Sequence, residues 1–344
     1  MKKRFQLPLF ALIVFAVSGA HGQTTFTWSA TPFDHRLSTP ANWTGGSLPT
    51  TDGSAQLVFG LTNQSFINFD IPTVQIYSLA FTSPYAPYHF NSFYGATLII
   101  GSGGVSVPAS GNTTVVSDSN IFVELAGSQT WDIGGHLTVR GMISDAPDFT
   151  SSLTKTGAGT LRLEAHNNFA GDFTLNAGTL EIAIGSEHEG GFIYVSPVGL
   201  GTLTLGDNTT LRSADEDIQL HNNIALGNNV TLDSGDGDDL ELAGTVTVAN
   251  ASTTIKVSGD QPSLFTGIID GPNGTHLTFT SPNGEFGSAA FADVFSTDNI
   301  AQLTADRAAL FFFFNLPTDS PLVLHAVNNG YIGAAAAPEF THIP

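Results

Sequence analysis

The amino-acid sequence predicts an all-β protein whose body is a right-handed parallel β-helix with an N-terminal cap region. Three observations predict this fold. Short β-type segments fill residues 96–284, Gly, Asn and Asp residues separate these segments, and one phrase recurs at about the length of a β-helix coil. Together they favour a stack of coils over a packed arrangement of helices.

The β-type segments are short, and most of them alternate apolar and polar residues. The segment T-L-R-L at 160–163 and the segment T-V-T-V at 245–248 are examples. Alternation with a period of two places one side of a strand in a core and the other side in water. The intervening Gly, Asn and Asp residues tolerate left-handed backbone angles and suit sharp corners. The pattern therefore predicts half-buried strands joined by tight turns.

The phrase G-T-L, followed by a further apolar position, begins at Gly159, Gly178 and Gly201, at spacings of 19 and 23 residues. This spacing is typical of one coil of a solenoid. A single coil buries too few aliphatic side chains to offset the entropy lost in ordering it, so we expect coils to stack. A sandwich of hairpins is the alternative, but the Asn-Gly turns that favour hairpins begin only at Asn273.

The composition is acidic, with 30 acidic and 10 basic residues and a formal net charge of -20. Without Lys2, Lys3 and Arg4, seven basic residues would face 30 acidic ones, for a net charge of -23. Such a surface repels phosphate backbones and anionic lipid headgroups, so we expect no nucleic-acid partner. The chain has no cysteine, which excludes disulfides, thiolate nucleophiles and Cys-ligated zinc.

The N-terminus has the features of a signal peptide, which we predict over residues 1–22. Three basic residues precede an apolar stretch at 7–17 that only Pro8 interrupts, and the small residues S-G-A follow at 18–20. The apolar run is too short for the ~20 residues of a membrane-spanning helix. We therefore expect an exported protein, extracellular or at the cell surface, with no membrane-spanning segment after removal of the signal.

The rest of the chain divides into three predicted regions. Residues 23–95 are rich in aromatic residues and prolines and are expected to form a cap and the first coils. Residues 96–284 are expected to form the β-helix, and residues 285–344 to form C-terminal coils or a cap and tail. A cap is needed because the end of a β-helix exposes an open strand edge. Within the last region, residues 303–309 favour a helix.

Residues 153–163 read L-T-K-T-G-A-G-T-L-R-L, and N-F-A-G at 168–171, a strand and G-T-L at 178–180 follow. This succession resembles the autotransporter-associated β-strand repeat, and the resemblance is strongest over residues 121–186. It implies a passenger-type β-helix whose repeat is structural and has no catalytic residue. It also implies glycines at corners, leucines in the core and Lys155 at a coil edge. Only about 60 residues follow the repeats, so we expect no translocator barrel in this chain.

The acidic cluster D-S-G-D-G-D-D provides the one metal-site candidate, a calcium site formed by Asp233, Asp236, Asp238 and Asp239. Calcium prefers carboxylate oxygens. The cluster lacks the spacing of an EF-hand and occurs once. The alternative, which we favour, is an Asp- and Gly-rich corner between the strands at 230–232 and 240–242.

Two further motifs are weighed and set aside. Glu187, His188 and Glu189 suggest a metal site, but His166 and His221 are distant in sequence, so no second histidine is expected within reach and a solvated loop is favoured. Ser152 and Lys155 match the S-x-x-K motif of serine nucleophiles, whose chemistry requires a helix. Here a strand and a corner are expected, so we assign no catalytic residue and no cofactor.

The function expected from these observations is that of an exported structural or interaction module, with a role in adhesion or at a surface. The ligand is unknown, with an extracellular glycan or protein as the candidates, and the oligomeric state and the mode of attachment stay open. The alternative is a secreted polysaccharide-active β-helix enzyme, a hydrolase or a lyase. Basic residues are few for a lyase of acidic glycans, whereas carboxylates, which a hydrolase uses in pairs, are plentiful.

Overall fold

The computed structural model describes residues 23–63, 65–83, 87–109, 114–214, 217–236, 239–282, 287–292, 299–313 and 322–334. The predicted signal peptide at 1–22 lies outside these ranges. Within them, the regular structure consists of 33 strands and one short 3-10 helix, Pro40–Asn42. The all-β prediction is confirmed.

Most of the strands belong to three long parallel sheets. The first sheet has 13 strands: β1 (Thr24–Thr27), β2 (Ala55–Phe59), β4 (Thr73–Phe81), β6 (Ala96–Val107), β8 (Ile121–Leu125), β9 (Gln129–Ile133), β11 (Ile143–Asp145), β12 (Leu153–Thr156), β14 (Phe173–Leu175), β18 (Leu203–Leu205), β21 (Ile224–Leu226), β24 (Val246–Val248) and β27 (Ile269–Asp270). The second sheet has 12: β3 (Phe66–Asn68), β5 (Tyr88–Asn91), β7 (Thr114–Ser117), β10 (His136–Val139), β13 (Thr160–Leu163), β15 (Thr179–Ile182), β19 (Thr210–Ser213), β22 (Val230–Asp233), β25 (Ser252–Ser258), β28 (Thr275–Thr280), β30 (Ile300–Asp306) and β32 (Val323–Val327). The third sheet has six: β20 (Ile218–Leu220), β23 (Leu240–Leu242), β26 (Ser263–Phe265), β29 (Gly287–Phe291), β31 (Ala308–Phe312) and β33 (Tyr331–Ala334).

The chain passes repeatedly between the first two sheets, includes the third sheet from β20 onward, and so winds into a parallel β-solenoid of about ten turns. The remaining two strands, β16 (Glu187–Glu189) and β17 (Phe192–Val195), form an antiparallel hairpin. Each strand of the solenoid pairs with the equivalent strand of the next coil, so backbone hydrogen bonds run along the stack. The predicted parallel coil stack is confirmed.

Stacked aliphatic side chains fill the interior. In β13 the alternation buries Leu161 and Leu163 and turns Arg162 outward. Equivalent buried positions of neighbouring coils contact one another, and each buried aliphatic side chain contributes about 1.5–3 kcal/mol. One such row on the second sheet consists of Leu137, Leu161, Leu180, Leu211, Leu232 and Val257.

The glycine that begins the second copy of the repeated phrase is required for two reasons. Gly178 has a φ of 76°, in the left-handed region, which side chains disfavour. A Cβ atom there would also lie 2.4 Å from the carbonyl oxygen of Gly159 in the preceding coil. At this corner, the backbone of Gly178 therefore packs directly against the backbone of the preceding coil.

Aromatic rings pack the core of the first coils. Trp28, at the end of β1, and Trp43, in the segment before β2, meet edge to face with ring centroids 5.2 Å apart, and both contact Phe59. The indole N–H of Trp43 donates to the carbonyl oxygen of Leu37, so the buried ring leaves no polar atom unpaired. The segment between β1 and β2 thus covers the core at this end of the described stack.

Two predictions about the course of the chain need correction. Residues 303–309, predicted as a helix, belong to β30 and β31, and Leu303, Ala305 and Leu310 are buried there. Extended pairing with β28 and β29 overrides the local helix preference, because it buries these side chains and satisfies the backbone.

The spacing of the repeated phrase is confirmed for its first two copies and wrong for the third. Thr160 pairs with Thr179, so 19 residues make one coil. Thr179 pairs next with Thr210, whereas Leu203 of the third phrase lies on the first sheet opposite Phe173. The coil from Thr179 to Thr210 is longer because it contains the β16–β17 hairpin, which the spacing of the phrase did not predict.

Candidate functional site

A row of alternating charges crosses the outer face of the second sheet. Arg162, Glu181, Arg212 and Asp233 occupy equivalent positions on four neighbouring strands. Arg162 Nη1 lies 2.5 Å from Glu181 Oε1, and Arg212 Nη2 lies 2.7 Å from Asp233 Oδ2. Opposite charges on adjacent strands stabilise this register, whereas like charges would oppose it.

The row extends to earlier coils through Glu164, Arg140 and Asp118. Arg162 Nε lies 2.6 Å from Glu164, Arg140 Nε lies 2.9 Å from the same carboxylate, and Arg140 Nη1 lies 3.6 Å from Asp118. Burial by itself would lower the pKa of Arg162, but hydrogen bonds to Glu181 and Glu164 raise it, so the guanidinium stays charged. We refer to these seven residues, Asp118 to Asp233, as the charge row.

An open groove of about 630 Å³ lies at one end of the charge row, and Arg162, Glu181, Arg212, Asp233 and Asp236 line it. Its carboxylates are largely used by the protein itself. Asp233 Oδ2 accepts a hydrogen bond from Arg212, and its Oδ1 accepts one from the backbone N–H of Gly235. The groove is therefore polar, but the charges that it takes from the charge row are paired.

The groove contains part of the predicted calcium site. Asp233 and Asp236 lie at the corner after β22 and Asp239 precedes β23, while Asp238 lies outside the described residues. The backbone N–H of Asp239 donates to Asp217. Across the described part of the chain, no group of three His, Asp or Glu side chains is arranged to hold a metal ion. The calcium site stays a prediction without a ligand set among those residues.

Lys155 corrects the prediction of a lysine at a coil edge. Its side chain is fully buried inside the solenoid, on the same side of β12 as Leu153. Nζ donates to the carbonyl oxygens of Gly157 and Ala177, each at 2.9 Å. Burial lowers the pKa of Lys155 to about 8, and the nearby Asp132 partly opposes this shift. The lysine thus links one corner of the repeat to the next. Of the S-x-x-K residues, Lys155 lies in β12 and Ser152 immediately precedes this strand, so the helix that the motif requires is not formed.

The hairpin β16–β17, which we call the arm, interrupts the coil between β15 and β18. Phe192 and Tyr194 are exposed on its second strand, at 80% and 51% of their surface. The turn between its strands consists of Gly190 and Gly191, both with left-handed backbone angles. The arm therefore presents aromatic side chains outside the solenoid.

Two buried asparagines fix the base of the arm. Asn167 accepts a hydrogen bond from the backbone N–H of Ile143, and its Nδ2 donates to the carbonyl oxygen of Pro197. Asn222 accepts a hydrogen bond from Ser196 Oγ and donates to the carbonyl oxygen of Gly201. The chain therefore leaves and rejoins the stack at a defined point.

Residues 187–189 are exposed to solvent, as predicted, but the prediction of a loop with no second histidine within reach is wrong in two respects. These residues form a strand of the arm, and His188 has a second histidine beside it, because its ring stacks on that of His221 with centroids 3.5 Å apart. His166 Nδ1 also lies 3.6 Å from Glu187 Oε1. The solenoid brings together residues that are separated by one coil or more in sequence.

A cleft of about 530 Å³ lies between the arm and the solenoid wall. The arm contributes His188, Gly191, Phe192 and Ile193. The wall contributes residues at the corners that precede four neighbouring strands of the first sheet, namely Asp172, Leu200, Gly201, Thr202, His221, Asn223 and Ala243. Burial and the neighbouring His188 lower the pKa of His221, so its ring is neutral at pH 7.

No motif in the sequence pointed to this cleft. The available signal was the Gly190-Gly191 pair between two β-type segments, which is typical of a hairpin. The cleft itself has no sequence signature, because its walls come from four coils and an inserted arm.

Comparison with known families supplies the identification. Residues 153–182, which form β12 to β15, match the family model described as the passenger-associated-transport-repeat. The chain contains a passenger-associated-transport-repeat, and this repeat together with the β-solenoid fits an autotransporter passenger-type repeat protein. The matched residues contain the buried Lys155 and the corner at Gly178, so the repeat is two stacked coils of the solenoid. No curated protein and no solved structure matches the chain.

None of the described residues form a helix long and apolar enough to cross a membrane.

Proposed function

We propose that this passenger-type protein is exported to the cell surface and acts there in adhesion, as a binding module without catalytic activity. The observation that carries the proposal is the passenger-associated-transport-repeat at 153–182, in register within a continuous stack of coils. Such a stack resists bending, because every coil is hydrogen-bonded to its neighbours. A rigid rod suits the display of a binding surface away from a cell.

The distribution of exposed side chains supports adhesion. Phe192 and Tyr194 of the arm are exposed to solvent, and a cleft lies beside the arm. Exposed aromatic residues next to a concave surface are typical of interaction sites. The arm is anchored by buried asparagines, so its position is set before any partner binds.

The alternative function, polysaccharide hydrolysis, has less support in the geometry. Hydrolysis requires two carboxyl groups that flank a scissile bond, one of them protonated. In the groove beside the charge row, Glu181 and Asp233 are each held in an ion pair with an arginine, so neither carboxylate is free to act on a scissile bond. This pairing supports a binding role over a catalytic one.

The proposal is tested by expressing the full chain in a Gram-negative host. Labelling intact cells with an impermeant reagent should detect the protein at the surface or in the medium, and the exported form should retain cells on a glycan-coated surface. A panel of polysaccharides assayed for new reducing ends, with and without calcium, should give no product. Retention of the protein inside the cell, or robust turnover of any glycan, would overturn the proposal.

A further inference from the structure

We infer that the cleft beneath the arm binds a neutral polysaccharide strand that runs parallel to the solenoid axis. This inference rests on the proposed adhesive function and assigns the ligand class to one site. Its basis is the combination of an aromatic ring at the rim, polar groups without a lysine or arginine on the walls, and a wall that extends over four neighbouring strands.

The shape of the cleft suits an extended chain. Its wall consists of corners that precede β14, β18, β21 and β24, which are successive neighbours in the first sheet. Three steps of about 4.8 Å give a wall roughly 14 Å long. A volume of about 530 Å³ lies within the roughly 300–1,000 Å³ that ligand sites occupy. The cleft therefore accommodates a linear ligand along the axis.

The groups on the walls suit sugar hydroxyls. Asp172 uses Oδ1 to accept the backbone N–H of Thr202, and no described residue donates to its Oδ2. Asn223 uses its oxygen to accept the backbone N–H of Thr245, and its Nδ2 is a donor beside the cleft. His221, whose Nδ1 contacts Ser186 Oγ, lies at the same corner of the wall as Asn223. Neighbouring donors and acceptors of this kind match a hydroxyl-rich ligand.

Phe192 supplies the apolar contact that such a ligand needs. Its ring is 80% exposed and lies at the cleft, at the start of the second strand of the arm. The C–H face of a pyranose ring packs against an aromatic plane and removes both surfaces from water. A ring that is largely exposed in the free protein thus gains an apolar contact on binding.

Charge selects a neutral ligand over an acidic one. The chain has a net charge of -20, and Asp172 is the ionisable carboxylate among the residues of the cleft wall. No lysine or arginine is among the cleft residues, so a uronate or a sulfated sugar would be repelled without compensation. A basic peptide is the competing ligand class, and the experiment includes it.

The test measures binding of the exported chain to hexasaccharides of cellulose, xylan, mannan and β-1,3-glucan by isothermal titration calorimetry. A hexagalacturonate and an oligolysine peptide serve as acidic and basic probes. We expect at least one neutral hexasaccharide to bind. Phe192→Ala should weaken that binding by about tenfold or more, as loss of a central aromatic contact does. Asp172→Asn, which keeps the acceptor for Thr202, should weaken it several-fold.

Tyr94→Ala is the matched control, because Tyr94 is 98% exposed and lies in an earlier coil. It should leave affinity unchanged. Binding of oligolysine alone, no binding of any neutral probe, or equal effects of Phe192→Ala and Tyr94→Ala would overturn the inference. If cells still adhere through the protein in those cases, adhesion stands and only the ligand assignment fails.

Discussion

At the scale of single residues, the repeat depends on a buried cation, the ammonium group of Lys155. The alternation of apolar and polar residues did not predict that this side chain is buried. Lys155 occupies an inward position of β12, where an apolar residue is usual, and bonds to backbone carbonyl groups at two corners. These carbonyl oxygens face inward and would otherwise lack a donor. Burial removes water from the charged ammonium group, which disfavours the charged form and lowers the pKa of Lys155.

We predict that Lys155 gives the protein a stability that rises with pH under alkaline conditions. The folded-state pKa is about 8, against 10.5 in the unfolded chain, so the unfolded state binds more protons in this window. The free energy of unfolding should therefore increase between pH 8 and pH 10, by up to about 1.4 kcal/mol per pH unit. Urea unfolding at pH 7.5, 8.5 and 9.5 measures this increase.

Lys155→Met is the companion variant, since it keeps an unbranched stem and removes the titrating group. We expect it to lose about 1–3 kcal/mol at pH 7.5, because buried carbonyl groups lose their donors. The alkaline rise should be absent from this variant. An identical rise in both proteins would show that another group is responsible.

At the scale of elements, the arm is attached through its base and through one stacked pair of rings. The asparagine contacts hold the base, whereas the His188–His221 stack joins the strand β16 to the corner after β20. Several groups face this pair. Ser186 Oγ contacts His221, Glu241 raises the pKa of His221, and Glu187 and Glu189 flank His188. Burial and the second ring outweigh Glu241 and lower the pKa of His221.

We predict that acid loosens the arm. Because the folded-state pKa of His221 is below the unfolded value of 6.5, the stacked pair contributes stability above pH 6.5, and this contribution is lost as the pH falls through the folded-state pKa. Hydrogen exchange at the amides of 187–195, corrected for intrinsic rates, should be faster at pH 5 than at pH 7.5. His188→Gln should reduce this pH dependence, and amides of β13 should show none of it. Equal protection of the arm at both pH values would contradict the prediction.

At the scale of the whole molecule, electrostatics must hold together a chain with a net charge of -20. The charge row concentrates three of the few arginines along one sheet, and each is paired with a carboxylate of a neighbouring coil. Individual exposed ion pairs contribute little to stability. A row of them, however, favours the correct strand register in every coil that it crosses.

We predict that reversing one charge inside the row is destabilising. In Glu181→Lys, three cations would occupy adjacent strands, because Glu181 lies between Arg162 and Arg212. The free energy of unfolding should fall by roughly 1–3 kcal/mol, and added salt should restore part of it. Glu189→Lys, on the exposed arm, makes the same change in net charge and should have little effect. Equal losses in both variants would mean that net charge, and not the row, matters.

The sequence by itself determined the strands, their buried faces and the corners. Period-two alternation and turn glycines are local properties, and each coil is a contiguous piece of chain, so they specify a solenoid without knowledge of its contacts. The same reasoning placed the first two copies of the repeat in register, as the pairing of Thr160 with Thr179 confirms.

The tertiary structure alone decided which coil lies on which, and with it the candidate sites. Residues 303–309 extend because a neighbouring strand is available, and Lys155 is buried because carbonyl groups of two coils meet around it. His188 meets His221, and the cleft forms, because an inserted arm folds back over corners from four coils. These features depend on contacts between residues far apart in sequence, which no local pattern encodes.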